Sequence, residues 1–333
     1  MIKELRDARL KGAKAAYRIL DMLEARDRLK QTYGQVDVFQ ALAQLDIMVM
    51  FKPLDGLLGA YLRGSPPGVL ISTKRPHSVQ RFTAAHELGH AVLEHEPSLD
   101  TPDVLRRAAS GRFGGIGKFA AHLQEVEADA FAGEFLMPRW LLAHHAALQG
   151  WSPRHFNDPA VVYQLSLRCG SSYDATTRAL ERNRVISSSS GAALRKVKPK
   201  ALKEDLRRDD KSFNPWSDAW IITEKDQTSS VKFREGDVVG VHLIEHAAGG
   251  YRWIHSAPTE MTPLSDRTTL GLDIGAASER RIVFKCDHAM HGKLAFVEKR
   301  PWESEGHNID FSVEIVGPEE GLSSATRQRL VQR

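Results

Sequence analysis

The chain of 333 residues is poor in cysteine and has no large excess of charge of either sign. Its two cysteines, Cys169 and Cys286, lie far apart in the sequence. Such a pair argues against a disulfide-stapled scaffold and is typical of a reducing compartment, so we expect a cytoplasmic protein. The 46 basic residues stand against 42 acidic ones, for a net charge of +4. This mild excess permits contact with nucleic acid but does not require it.

Long apolar runs are also lacking. No segment has the roughly 20 apolar residues that cross a bilayer, and the charged residues 1–7 are followed by no apolar segment typical of a signal peptide. We therefore expect no association with a membrane. The length exceeds what one small core accommodates and predicts two or three structural units.

The patterning changes once along the chain, near residue 187. Before it, helical periodicity dominates, with three short strand-like runs between residues 47 and 72. After about residue 214, apolar and polar residues alternate as in strands. Four serines and several lysines at the change indicate a flexible basic linker. We predict an α+β domain at 1–150, a helical extension at 151–186, the linker at 187–204 and an all-β domain at 205–333.

The segment 86–90 reads His-Glu-Leu-Gly-His within a predicted helix. Residues four apart share one face of a helix, so His86 and His90 can bind a single ion. Zinc suits such a site because it lowers the pKa of bound water and polarises a carbonyl group, and Glu87 is placed to accept a proton from that water. A match of this kind arises by chance in roughly a few per cent of chains this long, so a third ligand is required.

A second predicted helix, at about 120–137, offers that ligand. Glu125 and Asp129 are four residues apart, so Glu125 can bind zinc while Asp129 holds a ligand histidine by its other ring nitrogen. Glu127 lies about 200° round the helix and is the reserve candidate. The alternative is two amphipathic helices with solvated charges.

Two further histidine patterns are poorer candidates. His95 is one position short of a third-ligand spacing and is predicted to lie on the surface. His242 and His246 match an inverted zinc motif, but their segment alternates as a strand does. Residues four apart in a strand are separated by about 13 Å, too far to share an ion.

Three motifs resemble the ImmA/IrrE metallopeptidases: 81–90 with the two histidines, 125–129, and 131–138, which reads Phe-Ala-Gly-Glu-Phe-Leu-Met-Pro. The resemblance implies a zincin-like fold, zinc bound by His86, His90 and Glu125, and Glu87 as the general base. It also implies site-specific cleavage of a DNA-binding repressor in a response to stress or mobile elements. The segment 97–118 is longer than the family's usual one.

The C-terminal part resembles the chagasin-like inhibitors of papain-type cysteine peptidases. Residues 249–253 are similar to the end of their first inhibitory loop, Gly275 and the following strand to the second, and 300–303 to the third. The resemblance implies an immunoglobulin-like β-sandwich that recognises a protein, with cysteine peptidases as candidate partners. Tyr251 and Trp302 are the candidate contact residues, whereas Trp253 is predicted to pack in the core.

Other functional classes stay open at this point. The chain could be a non-catalytic regulator or toxin–antitoxin partner that binds DNA or protein through the basic helical segment 150–210, with a structural or vestigial metal site. It could also be a cysteine-peptidase inhibitor, although the first loop departs from the inhibitor pattern.

Overall fold

The computed structural model describes residues 2–29, 32, 34–95, 99–100, 116–208, 210, 214–271 and 276–332, with 99–100 and 116–120 as backbone only. Most of the segment 97–118 and Gly275 therefore lie outside the described residues. The chain forms two compact units. Unit 1 comprises Met1–Ala143, Arg168–Arg184 and Glu319–Arg333, and unit 2 comprises His144–Leu167 and Val185–Pro318.

Ten helices are described. They are α1 (Ile2–Met22), α2 (Val38–Gln44), α3 (His77–Val92), α4 (Ile116–Leu136), α5 (Arg139–Gln149), α6 (Pro159–Cys169), α7 (Tyr173–Arg182), α8 (Ser188–Leu194), α9 (Pro199–Lys203) and α10 (Ser324–Val331). Within the described parts of the chain, no helix is both long and apolar enough to span a membrane.

Unit 1 combines helices with one mixed sheet. The sheet has the order β13-β1-β3-β2-β4, in which β1 and β3 are parallel and the remaining pairs are antiparallel. Its strands are β1 (Met48–Lys52), β2 (Gly59–Leu62), β3 (Gly68–Ser72), β4 (Leu99–Asp100) and β13 (Gly321–Leu322). The three predicted strands before residue 72 are thus confirmed.

Glycines allow close approach of the helices in unit 1. A Cβ on Gly89 of α3 would lie 3.1 Å from the Phe131 Cβ and 3.2 Å from the Ala128 Cα of α4. A Cβ on Gly12 of α1 would lie 2.1 Å from the Glu127 carbonyl oxygen. Carbon atoms in contact are normally about 3.5–4.0 Å apart, so a Cβ at Gly89 would crowd α4 by a few tenths of an ångström. At Gly12 a Cβ would overlap the Glu127 carbonyl, so this position requires glycine at the present helix spacing.

Two arginines, one in α3 and one outside it, hold this helix in place within unit 1 by donating hydrogen bonds to backbone carbonyls. Arg81 is 4% exposed, and its guanidinium donates to the carbonyl oxygens of Gly170 and Val36 at 2.9 and 2.7 Å. Arg63 donates to the carbonyl of His95 at 2.9 Å, just beyond the end of α3. The buried helix that carries the His-Glu-Leu-Gly-His segment is therefore held at both ends.

Unit 2 contains two four-stranded sheets, ordered β5-β7-β10-β9 and β6-β12-β11-β8. Two ring pairs join the sheets. The ring centroids of Trp220 and Phe233 are 5.3 Å apart, and those of His255 and Phe284 are 5.2 Å apart. The sheets thus face each other across an aromatic core. The strands are β5 (Ala219–Thr223), β6 (Val231–Arg234), β7 (Val238–Glu245), β8 (Arg252–Ser256), β9 (Met261–Thr269), β10 (Ser278–Cys286), β11 (Met290–Lys299) and β12 (His307–Val316).

The segment expected to be a flexible linker, 187–204, contains two helices, which corrects that expectation. Ser187 caps α8 by accepting a hydrogen bond from the backbone nitrogen of Ser190 at 3.1 Å. Pro199 occupies the first turn of α9, where its missing N–H costs nothing. Serine and proline here begin helices, although the same composition is typical of linkers.

The C-terminal residues also differ from the predicted arrangement, in which they belong to the β-domain. Strand β13 pairs with β1, and the Val49 nitrogen donates to the Thr326 hydroxyl at 3.1 Å. Ser323 in turn donates its backbone N–H to the Val49 carbonyl at 2.9 Å. Strand β13 thus forms one edge of the sheet in unit 1.

Candidate metal centre

Three side chains of unit 1 bring their donor atoms together between α3 and α4. The Nε2 atoms of His86 and His90 are 2.9 Å apart. Glu125 places its Oε2 3.3 Å from the His86 Nε2 and its Oε1 3.6 Å from the His90 Nε2. All three residues are buried. No other cluster with metal-binding geometry occurs among the side chains that the structure describes.

The spacing and chemistry of these donors fit zinc. Donors bound about 2.0–2.1 Å from a tetrahedral zinc ion are separated by roughly 3.3 Å, close to the distances found here. Two imidazoles and one carboxylate are also the donor set of catalytic zinc sites that keep one position open. Burial lowers the pKa of His90 to about 3, with a further contribution from His86. His90 is therefore neutral, the form that binds a metal.

Asp129 lies behind His86. Its Oδ1 is 3.0 Å from the His86 Nδ1, on the side of the ring opposite the cluster. A carboxylate at this position accepts the Nδ1 proton and directs the Nε2 lone pair towards the other donors. The structure thus brings Asp129 together with His86, as the four-residue spacing between Glu125 and Asp129 predicts.

Glu87 is 1% exposed and lies beside strand β2. A Cβ on Gly59 of β2 would be 3.5 Å from the Glu87 Oε1 and 2.4 Å from the Thr83 Cγ2. Only glycine therefore allows β2 to pass this close to α3. The sequence motif identifies Glu87, whereas no pattern in the sequence marks Gly59 as a position that requires glycine.

His95 is 3% exposed, so the prediction of a surface position is wrong. The cause is the end of α3, where Glu94 adopts a left-handed conformation with φ 55°. The His95 nitrogen then donates to the His90 carbonyl at 3.0 Å and the Glu94 nitrogen to the Ala91 carbonyl at 3.3 Å, the pattern of a Schellman turn. This turn folds His95 back against His90.

Glu127, the reserve candidate for the third ligand, points away from the cluster. Its Oε2 lies 2.9 Å from the His95 Nε2 and 2.7 Å from the Lys11 Nζ. Glu125 and Glu127 thus face different sides of α4, as their 200° separation predicts.

In unit 2, the two predicted contact residues differ in their surroundings. Trp302 is 75% exposed, which excludes a role in core packing. Tyr251 is partly buried, with the Arg300 guanidinium carbon 4.5 Å from its ring centroid. Arg300 also donates to the Gly249 carbonyl at 2.9 Å, which joins the two loops. Trp253 is 3% exposed, as predicted.

The rejected inverted zinc motif lies on strand β7 and its end. His242 pairs with Glu279 at 2.9 Å and His246 with Glu298 at 3.0 Å. Each histidine has its own carboxylate partner, so the two do not form one metal site.

Part of the basic segment is engaged within unit 2. Lys203 pairs with Asp218 at 2.9 Å, and Arg207 donates to the Asn214 carbonyl at 2.8 Å. Their side chains are 13% and 12% exposed. These two cations are therefore not available to phosphate groups, which weakens the interpretation of a DNA-binding segment.

Comparisons with known proteins cover the two parts of the chain separately. A protein of Bacillus phage phi105, described as uncharacterized immunity region protein 2, is 31% identical over 77 residues, 23% of this chain. The chain spans only 42% of that protein's length.

Solved structures similar to the C-terminal part include the cysteine protease inhibitor EhICP2. EhICP2 from Entamoeba histolytica is 23% identical, with 31% of this chain and all of that chain covered and a TM-score of 0.29. Amebosin is 15% identical, covering 30% and 97% of the two chains, with a TM-score of 0.25. PbICP-C, solved in complex with falcipain-2, is 12% identical, covering 30% and 90%, with a TM-score of 0.22.

The residues of the metal centre all lie within the segment 42–181, which matches the model of one peptidase family, M78. The match includes both helices that carry the histidines and Glu125. Residues 42–181 thus match the family model described as an IrrE N-terminal-like domain, in agreement with the resemblance of the three sequence motifs.

Proposed function

We propose that the chain is a zinc-dependent endopeptidase whose zincin-like domain cleaves a specific protein substrate. The convergence of His86, His90 and Glu125 donors within 3.6 Å is the observation that supports this most strongly. The family match over 42–181 supports a peptidase independently of that geometry.

His86, His90 and Glu125 would hold zinc, and Asp129 would keep the His86 ring in the required tautomer. When bound, zinc lowers the pKa of water and polarises the scissile carbonyl. Glu87 accepts a proton from the attacking water and delivers it to the nitrogen of the departing amine. Its burial beside β2 limits competing contact with bulk water, which strengthens its interaction with the reacting groups.

The proposed substrate is a DNA-binding repressor in the cytoplasm. This follows the ImmA/IrrE resemblance, and the similarity to a phage immunity region protein agrees with it. We place the proposed reaction in a response to stress or to mobile elements.

Metal content tests the site directly. The purified full chain should hold one zinc, retained in Glu134→Ala and lost in Glu125→Ala. Glu134 is a matched control because it lies on the same helix and pairs with Arg182 at 2.6 Å, away from the cluster. If the wild type binds no zinc after reconstitution, the endopeptidase proposal fails and the non-catalytic regulator becomes the better explanation.

Cleavage is tested by comparing cells that carry the wild type or Glu87→Gln. The variant keeps the size of the side chain and all three proposed ligands but removes the proton acceptor. Mass spectrometry of protein N-termini should reveal at least one new terminus that requires Glu87, in a DNA-binding protein. The absence of any Glu87-dependent terminus under inducing conditions counts against catalysis.

For unit 2 we propose an immunoglobulin-like sandwich that recognises a protein through Tyr251 and Trp302. The exposure of Trp302 supports this, because large aromatic side chains dominate the energetics of protein interfaces. A cysteine peptidase is the candidate partner that the resemblance offers. Two measurements on the full chain and its Trp302→Ala variant distinguish the possible partners. If the partner is a cysteine peptidase, the full chain should inhibit papain and the variant should inhibit it less. If the partner is the endopeptidase substrate, the variant should cleave that substrate more slowly.

A further inference from the structure

A line of hydrogen-bonding groups extends from the metal centre behind His90. The His90 Nδ1 is 2.9 Å from the His95 Nδ1, and the His95 Nε2 is 2.9 Å from the Glu127 Oε2. Lys11 of α1 places its Nζ 2.7 Å from the same carboxylate oxygen. His90, His95 and Glu127 are all less than 10% exposed.

The protons in this line have only one consistent arrangement when His90 binds a metal. Its Nε2 faces the cluster and must be unprotonated, so the proton of the neutral ring is on Nδ1. The His95 Nδ1 opposite must then be an acceptor. The His95 proton is therefore on Nε2, from which it is donated to Glu127.

The charges along the line stabilise the same arrangement. The Glu127 carboxylate, held by Lys11, accepts the Nε2 proton of His95 and disfavours the opposite tautomer. Gly12, next to Lys11, allows the close contact of α1 with α4 on this side.

The two ligand histidines thus have different outer partners. His86 donates towards the carboxylate of Asp129, whereas His90 faces a neutral imidazole that is itself backed by a carboxylate. Outer partners fix the orientation of a ligand histidine and raise its basicity, and their loss costs about 10–100-fold in metal affinity.

We propose that His95, oriented by Glu127 and Lys11, is a positioning residue that fixes the tautomer and ring orientation of His90 and thereby strengthens zinc binding. The inference rests on the proposed function, since it requires His90 to be a zinc ligand. It adds to the proposed metal site a residue, His95, that lies outside the His-Glu-Leu-Gly-His motif.

Zinc affinity of the full chain, measured by competition with a chelator, tests the proposal. His95→Phe removes the acceptor at similar volume and should weaken binding about 10–100-fold. His95→Asn places its Oδ1 where the ring Nδ1 lies and should restore most of the affinity. Glu127→Ala should weaken binding, and less than His95→Phe does, while the matched Glu134→Ala should not.

A second measurement uses the wild type alone and does not depend on the folding of a variant. In the zinc-loaded wild type, ¹⁵N NMR of the imidazoles should show an unprotonated Nδ1 and a protonated Nε2 in His95. The opposite tautomer overturns the proposal, as does a His95→Phe variant that folds and binds zinc as the wild type does. Equal weakening by His95→Phe and His95→Asn assigns His95 to packing alone and also overturns it. Failure of the wild type to bind zinc is a separate result that refutes the proposed function itself.

Discussion

Gly89 is the position at which a single methyl group should separate effects on stability from effects on metal binding. In Gly89→Ala the new Cβ would lie 3.1 Å from the Phe131 Cβ and 3.2 Å from both the Phe131 Cγ and the Ala128 Cα. Because carbon atoms pack at about 3.5–4.0 Å, α3 and α4 must separate locally by roughly 0.4 Å or more. The proposed ligands lie on both helices.

The expected magnitude follows from two opposing terms. Overpacking of a core costs about 1–3 kcal/mol, and the higher helix propensity of alanine returns up to about 1 kcal/mol. The metal-free protein should therefore lose roughly 0–3 kcal/mol of unfolding free energy. Metal sites tolerate deviations of only about 0.2 Å in ligand distance, so the same displacement should weaken zinc binding by about tenfold or more.

Gly133→Ala is the matched control, because its Cβ would lie at an ordinary 3.5 Å from the nearest atom, Arg182 Nη1. This variant should be as stable as the wild type or more so, with unchanged zinc affinity. Chelator competition and thermal unfolding of the metal-free chains measure the two effects. If Gly89→Ala binds zinc within twofold of the wild type, the spacing of α3 and α4 does not control the site and the reasoning is refuted.

Three further predictions concern other parts of the chain. Thr326→Val removes the acceptor of the buried Val49 N–H and should cost about 1–3 kcal/mol, seen as faster hydrogen exchange of the Val49 amide; Thr326→Ser, which keeps the hydroxyl, should lose less. The Asp237 carboxylate accepts hydrogen bonds from N–H groups of Asp218, Trp220 and Arg234 at 2.7–3.1 Å. Asp237→Asn turns an NH₂ group towards at least one of these donors and should therefore destabilise unit 2 by about 1–3 kcal/mol in urea unfolding. Glu94→Gly should stabilise the end of α3 by roughly 0.5–1 kcal/mol in thermal unfolding, since glycine adopts the left-handed conformation without strain. Zinc binding should not weaken, because the turn still places His95 against His90.

The local patterns predict the elements of both units well. The strands at 59–62 and 68–72 and the helices that carry His86 and Glu125 lie where the periodicity indicates. The alternating segments after residue 214 are strands, and β7 explains why the inverted motif at His242 forms no metal site. These features depend on spacing along one element, and a single sequence contains that information.

Contacts that join distant segments are not predictable in the same way. Pairing of β13 with β1 connects Leu322 with Met50 and depends on which sheet edge is open, a property of the assembled unit. The segment 187–204 has the composition of a linker, but Ser187 caps one helix there and Pro199 begins another. Composition reports the residues available and leaves their hydrogen-bond partners undetermined.

His95 illustrates the physical reason most clearly. On an uninterrupted helix, a residue five positions after His90 lies about 140° away round the axis, on another face. The left-handed Glu94 ends α3 and reverses this direction. A non-glycine residue adopts that conformation at a cost of about 1–2 kcal/mol, so the contacts of His95 with His90 and Glu127 must offset it. Local propensity therefore argues against the turn on which the placement of His95 depends, and only the tertiary contacts favour it.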